Sequence, residues 1–306
     1  MQVDVRTIDR LLGELNRIND KLEISDPVLN SSFLKTLDEV TLTLKDLLVL
    51  GASSDQVDVR RCSIYGLSKI CSDSDINILI AAAGDSDPSV RAWAIEGLGR
   101  LLNPSVVPLL IASLGDFDSF VYYSAVLALR RFSPDDVLGP LIEAMNNKNS
   151  LVRQRAAKLL GCFKDTRAVA ALIDKFYAEL ESTVRYEIIE ALSQIGSARA
   201  NRIFIIALED EASEVRCAAI KGLRKTGNDE AIEPLVQVAL FDREHRSAAI
   251  DALTQLCGVE AIWPIHQVLK EVNLRAKDVA KGLVKPRSLT SVLPSLWDNS
   301  QQAAIN

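Results

Sequence analysis

Histidine is almost missing from this chain: His245 and His266 are the two in 306 residues. That scarcity argues against His-based triads and His-rich metal sites. Aromatic residues make up only 5% while hydrophobic residues reach 48%, so small aliphatic side chains carry the apolar content. That mix suits closely packed helices better than sheets. The five cysteines, Cys62, Cys71, Cys162, Cys217 and Cys257, are odd in number and form no close pair. Neither a disulfide frame nor a zinc site is implied, and free, buried thiols in a reducing compartment are expected. Basic charge is in deficit: 35 Lys and Arg against 41 Asp and Glu leave a net charge of -6, which offers nucleic acid no basic face. No run reaches the ~18 unbroken apolar residues of a membrane span. The first ten residues, MQVDVRTIDR, lack the apolar core of a signal peptide. Gly-rich phosphate loops and Cys-His pairings are missing too. A soluble, cytoplasmic protein without a metal is expected.

What the chain does have is one phrase written many times. Residues 87–99 read DPSVRAWAIEGLG, and its Val-Arg, Ala-Ile and Leu recur. Aligned on the Arg, the anchors are Arg60, Arg91, Arg153, Arg185, Arg216 and Arg246, with Tyr122 in the one remaining slot. The period is 30 to 32 residues. Small or aliphatic residues stand three and four positions after each anchor. Leu stands seven after it every time: Leu67, Leu98, Leu129, Leu160, Leu192, Leu223 and Leu253. Offsets 0, 3, 4 and 7 are one face of an α-helix. Asp87, Asp118, Asn149, Glu181 and Asp242 stand four before the anchor, where an N-cap belongs. A second apolar run separates the phrases, with Pro108, Pro140, Pro234 and Pro264 expected in its first turn. Each unit is thus a pair of antiparallel helices of roughly three turns, and stacking buries what one pair leaves exposed.

The expected architecture is an all-α, right-handed solenoid of about seven helix pairs. Residues 1–50 are read as N-terminal capping helices, 51–285 as the solenoid and 286–306 as a polar tail. A degraded eighth phrase, RAKDVAKGL (275–283), closes the repeats. The ~31-residue unit with Asp-Pro, Val-Arg, spaced Ala and Leu-Gly resembles the short HEAT-like repeat of the phycobilisome lyases over residues 51–285. In such stacks the Val-Arg helix lines the concave side; the resemblance implies the same here.

Offsets 1, 2, 5, 8 and 9 are then expected to face the groove. They carry Trp93 and Glu96, then Tyr123, Arg130 and Arg131, then Arg155 and Lys158, then Tyr186, Glu187 and Glu190. Aromatics interleaved with charge are typical of recognition surfaces, although long charged side chains also lie over apolar stems on any solvated face. Tyr122 breaks the Arg rule. Either one missing framework Arg is tolerated, or the stretch FDSFVYYSA (117–125) makes an apolar patch from Phe117, Phe120, Tyr122 and Tyr123.

The resemblance narrows the chemistry. Deoxyhypusine hydroxylase, a HEAT-like metal oxygenase, carries His-Glu pairs just after the anchor, and none stands in those slots here. HEAT-like DNA glycosylases need a basic groove, against which the acidic balance counts. Two readings remain. In the first, resemblance to the E/F-type phycobilin lyases implies a lyase or lyase-like chaperone that holds an open-chain tetrapyrrole (bilin) and a phycobiliprotein subunit. The enzyme would direct thioether attachment to an acceptor Cys. Bilin is then the substrate and no cofactor is required. The propionates suit Arg130, Arg131, Arg155 or Lys158, the rings suit Trp93, Tyr122, Tyr123 and Tyr186, and Glu96, Glu187 or Glu190 could hold the pyrrole N–H groups. No general acid is assignable. In the second reading the chain is a non-catalytic adaptor for a protein partner.

Overall fold

The computed structural model describes residues 44–227 and 229–257, together with residues 10, 13 and 42. Among the described residues the regular structure is helical throughout, with no strand. The fold is all-α, a solenoid of paired helices. The anchor helices are α1 (Val57–Ile70), α3 (Pro88–Leu101), α5 (Ser119–Leu129), α7 (Ser150–Phe163), α9 (Ser182–Ile195), α11 (Ser213–Thr226) and α13 (Arg246–Cys257). Between them run α2 (Ile76–Ala82), α4 (Val107–Ala112), α6 (Pro134–Ala144), α8 (Val169–Ala178), α10 (Asn201–Ala207) and α12 (Ile232–Phe241). Residues 44–51 are also helical, within the expected N-terminal cap. The helix expected around Ile8–Leu22, the eighth phrase, Pro264 and the tail lie outside the described residues.

The chain divides into two compact units, residues 1–156 and 157–306. In the first, α1 packs on α3 and α3 on α5, with α2 against α3 and α4 against α5 and α6. In the second, α9 packs on α11 and α11 on α13, with α8, α10 and α12 filling behind them. Both cores are built by the phrase. All seven leucines at offset 7 are fully buried, as are Val90, Ala94 and Ile95 in α3. Each such leucine is worth roughly 1.5–3 kcal/mol of transfer free energy.

The starts of the anchor helices follow their caps. Asp87 accepts from the Ser89 and Val90 amides, with Pro88 at the first helical position. Asp118 accepts from Phe120 and Val121, and Asn149 from Leu151. Two expected caps differ. Glu181 stands at the cap position but makes no capping bond. Asp242 accepts from the Glu244 and His245 amides, yet α13 begins only at Arg246. The second helices are shorter than three turns where a 3-10 turn precedes them, as before α4, α10 and α12. Pro108 sits in the first turn of α4. Pro140 lies inside α6, because Ser133 and Pro134 cap and start that helix a turn early.

The anchor arginines are the ties between repeats. Arg60, Arg91, Arg185 and Arg216 each donate to two carbonyls of their own entry loop, five and six residues back: Arg60 to Ser54 and Asp55, Arg91 to Asp85 and Ser86, Arg185 to Glu179 and Leu180, Arg216 to Asp210 and Glu211. Each then reaches an Asp in the next loop. The pairs are Arg60–Asp85 (2.7 Å), Arg91–Asp116 (2.8 Å), Arg185–Asp210 (2.8 Å) and Arg216–Asp242 (3.0 Å). The Asp in turn accepts a backbone N–H two residues on. One guanidinium therefore closes one turn and bolts it to the next. Its fork of donors suits that double role, which Lys could not fill.

Offset 8 corrects part of the expectation of an outward face: it is closed in α1, α3 and α7, while Arg130 and Arg224 remain exposed. A Cβ on Gly99 would stand 2.4 Å from the Ala128 Cβ, and one on Gly161 would stand 2.7 Å from the Ala191 Cα. Both glycines are buried where consecutive anchor helices touch. Ser68, at the same offset in α1, is buried too. Offsets 5 and 9 are never buried: offset 5 carries Tyr65, Glu96, Leu127, Lys158, Glu190, Lys221 and Asp251, and offset 9 carries Lys69, Arg100, Arg131, Cys162, Gln194, Lys225 and Gln255.

Candidate functional site

The residues expected to share one groove are divided between the two units. Trp93, Glu96, Tyr122, Tyr123, Arg130, Arg131 and Arg155 belong to the first; Lys158, Tyr186, Glu187 and Glu190 belong to the second.

In the first unit Trp93 is the middle ring of a stack. Tyr65, from the preceding anchor helix, meets it edge-on with centroids 4.8 Å apart. Phe120, from the following helix, meets its other side at 5.7 Å. Such geometry is the favoured one for aromatic pairs. The Lys69 ammonium hangs over both Tyr65 and Trp93, 5.1 Å from each ring centre. Lys69 is also tied to Glu96 at 2.8 Å, and Arg100 reaches the same carboxylate at 3.3 Å. Glu96 is thus a shared counter-ion for two cations, not a bare acid. Tyr65, which stands at a groove offset, and Phe120, which belongs to the expected apolar patch, are in the stack although neither is among the expected substrate-binding residues. Their offsets, 5 and two before the anchor, differ from that of Trp93, so only the packing of the three helices brings them together.

Beside the stack, α5 exposes an apolar face. Phe120, Tyr123 and Leu127 are 50%, 61% and 60% exposed, and Phe117 in the entry loop is 91% exposed. Spacings of 0, 3 and 7 put the helical three on one side. The helix is apolar all round: Val121, Ala125, Ala128 and Leu129 fill the buried side. An amphipathic surface helix would put charge on the outside. Three large apolar side chains in its place make a patch of the kind that marks an interaction site. Arg130 and Arg131, both exposed, follow directly at the end of the helix.

Tyr122 and Arg155 form a separate device. The Arg155 guanidinium lies 4.0 Å from the centre of the Tyr122 ring. It donates to the carbonyls of Leu114 and Asp116 (2.9 Å for the latter). Asp116 is six residues before Tyr122, so its carbonyl is one that an anchor arginine at 122 would take. Arg155, from α7, supplies the missing guanidinium from the next repeat and uses Tyr122 as its platform. The next-loop acid is also gone: position 147, 25 after Tyr122, is Asn instead of Asp. Tyr122 is therefore half-covered, Arg155 is committed to the scaffold, and of the adjacent tyrosines only Tyr123 is largely open.

In the second unit Lys158 is exposed, while Tyr186, Glu187 and Glu190 are partly covered. The Lys221 ammonium lies 3.8 Å from Glu190. Burial, and then the charges of Glu190 and Glu187, push the Tyr186 phenol above its ordinary value, which keeps it a neutral donor at pH 7. Asp242, Glu244 and His245 bring potential metal-ligand atoms within 4.8 Å of one another. That corner already holds a cation: Arg216 lies 3.0 Å from Asp242 and 3.8 Å from Glu244, and Asp242 also takes a 2.8 Å contact from His245 Nδ1. Ser213 Oγ approaches His245 Nε2 at 3.3 Å but donates to Glu244 at 2.6 Å, so its proton is directed away from the imidazole. Surface cavities of about 660 Å³ around Phe241 and about 380 Å³ around Ile78 hold none of the expected site residues.

A family model described as HEAT repeats matches residues 43–130, 76–149, 107–193, 175–254 and 202–284. The chain belongs to the HEAT-repeat family. No curated protein sequence matches it significantly. Among solved structures it is similar to Kap95p in its complex with RanGDP, with a TM-score of 0.54 and 14% identity over 86% of this chain. The match spans 42% of the Kap95p chain. It is also similar to the CpcE–CpcF phycocyanin lyase complex of Nostoc sp. PCC7120, at TM-score 0.35 and 18% identity over 74% of this chain and 94% of that one. Human deoxyhypusine hydroxylase stands at TM-score 0.34 and 22% identity over 80% of this chain and 96% of that one. At these identities the likeness concerns the fold, and HEAT repeats are a framework on which unrelated functions are built.

Proposed function

We propose that this HEAT-repeat protein is a protein-binding module, and that its docking surface is the outward face of α1, α3 and α5. The observation that carries this reading is the apolar side of α5, where Phe120, Tyr123 and Leu127 stand in solvent beside the Tyr65–Trp93–Phe120 stack. Rigid aromatics bordered by charge are what anchor protein interfaces. The test is photo-crosslinking from a benzoyl-phenylalanine placed at Tyr123, in the cells that naturally make the protein. A discrete protein adduct at 123, missing when the same group is placed at exposed Glu214 in the second unit, is expected. Equal capture at both positions, or none at 123, overturns the reading.

A second reading is favoured by one feature of the same surface: open rings beside the cations Lys69, Arg100, Arg130 and Arg131 match the rings and two propionates of a bilin. In that reading the chain is a bilin lyase or lyase-like chaperone acting on a phycobiliprotein subunit. Glu96 would act as a buffered counter-ion and Arg155 would not touch pigment. Adding an open-chain tetrapyrrole should then shift its visible absorbance, and Trp93→Ala should remove the shift. An unchanged spectrum sinks it.

A further inference from the structure

The geometry points to the chemistry of the partner: an acidic, amphipathic helical segment whose apolar side chains lie on α5 and whose carboxylates meet the basic ends of α1, α3 and α5. The inference rests on the protein-binding reading and specifies its ligand. Lys69 and Arg100 stand in the last turns of α1 and α3, and Arg130 and Arg131 follow directly on the end of α5. Lys69, Arg100 and Arg131 stand at one offset, nine after the anchor, so they form a row across the repeats. Against these four cations the three helices' ends offer one carboxylate, Glu96, which Lys69 and Arg100 already share, and the start of α6 adds Asp135 and Asp136. A surplus of positive charge thus borders the apolar face in a chain whose net charge is -6. Cations at helix C-termini complement the helix dipole in any protein. What sets this row apart is its neighbour, since Leu127 and Tyr123 are exposed within one or two turns of Arg130 and Arg131. The row breaks at the next two anchor helices, where the corresponding residues of α7 and α9 are Cys162 and Gln194, and α13 carries Gln255; Lys225 of α11 is basic again but donates to the Ser193 and Gln194 carbonyls.

An apolar stripe beside a row of cations is complementary to a helix with anchors at i, i+3 or i+4, and i+7 and with Glu or Asp flanking them. A basic helix would be repelled, and a plain apolar one would leave the cations unused. The steering also speeds encounter and weakens as salt screens it.

The experiment measures fluorescence anisotropy of three labelled peptides with the full-length protein. All share Leu and Phe at helical spacing; the other positions are Glu, Gln or Lys. The Glu peptide is expected to bind at least tenfold tighter than the Lys peptide near 0.1 M salt, with the gap closing toward 1 M. The doubly reversed Arg130→Glu/Arg131→Glu protein should invert the order. Tyr123→Ser/Leu127→Ser should weaken all three, with helical circular dichroism unchanged in both variants. Equal or tighter binding of the Lys peptide overturns the inference, as does a preference that survives charge reversal. Tighter binding of a single-stranded oligonucleotide also overturns it, since the cations would then be serving phosphate. If no peptide binds while the crosslink at 123 persists, the acidic-helix inference fails and the protein-binding reading stands. If the crosslink is missing as well, both fail.

Discussion

At the scale of single residues the informative positions are those that depart from the phrase, and they do not all depart for the same reason. Tyr122 stands out in the sequence, but its partner does not. Arg155 reads as a free groove residue until the structure shows it over the Tyr122 ring and on the Asp116 carbonyl. A signal was there: Arg60, Arg91, Arg185 and Arg216 each find an Asp 25 or 26 residues on, and Tyr122 finds Asn147. Arg155→Ala is expected to cost about 2 kcal/mol, the scale of hydrogen bonds from a charged group. Thermal unfolding should fall by about 5 °C. Adding Tyr122→Arg and Asn147→Asp to that variant rebuilds the usual tie, so the triple variant should regain most of the loss. No recovery would mean that Arg155 does something other than replace an anchor.

At the scale of helices, periodicity and capping residues predicted the anchor helices well, since burial at offsets 3 and 7 repeats in every copy and at offset 4 in all but Val126 and Ile250. The outward set was less legible. A helical wheel assigns one buried side, but an anchor helix within a unit has a neighbour on each flank and its partner behind. Offset 8 is consequently closed in α1, α3 and α7, and Gly99 lets α3 approach α5 at Ala128. Gly99→Val should separate those helices and destabilise the protein by about 1–3 kcal/mol, the cost of overpacking. Urea unfolding checks it: the midpoint should drop with the slope unchanged. In contrast, Tyr65, Trp93 and Phe120 come from three different offsets, and no periodicity search would gather them. The contact needs the crossing of real helices.

At the scale of the whole molecule, the inter-repeat ties predict how stability depends on pH. The Arg60 hydrogen bond holds the Asp85 carboxyl below its ordinary value. For Asp116 and Asp210 burial pushes upward, but hydrogen bonds from Arg91 and Arg185 outweigh it and the net shift is downward. Asp87, hydrogen-bonded to Arg61, lies at about 2. Asp242 also lies at about 2, burial being outweighed by His245 and Arg216. A carboxyl whose folded value is depressed binds fewer protons folded than unfolded, so stability is full above the unfolded value near 4 and is lost as pH falls toward 2. The unfolding temperature should be flat above about pH 5 and drop steeply from about pH 4 to pH 2. A drop that begins above pH 6 would contradict the assignment. The 31-residue period made the fold class readable from the sequence alone, because every copy must bury the same surface. It was silent on which part of that solenoid is sticky, because solvent-facing letters obey no packing rule.

The central claim is that the letters repeating from copy to copy build the scaffold, while Phe117, Tyr123 and Leu127 are free to bind. Thermal unfolding of the chain with all three changed to Ser, run beside the crosslinking assay with the probe moved to Phe120, tests it most directly. Substitutions on an exposed surface shift stability by about 0.5 kcal/mol or less each. The variant is expected to unfold within about 4 °C of the parent while losing its protein adduct. A fall of more than about 10 °C, or an adduct that survives, would show that these residues serve the fold and that the binding surface lies elsewhere.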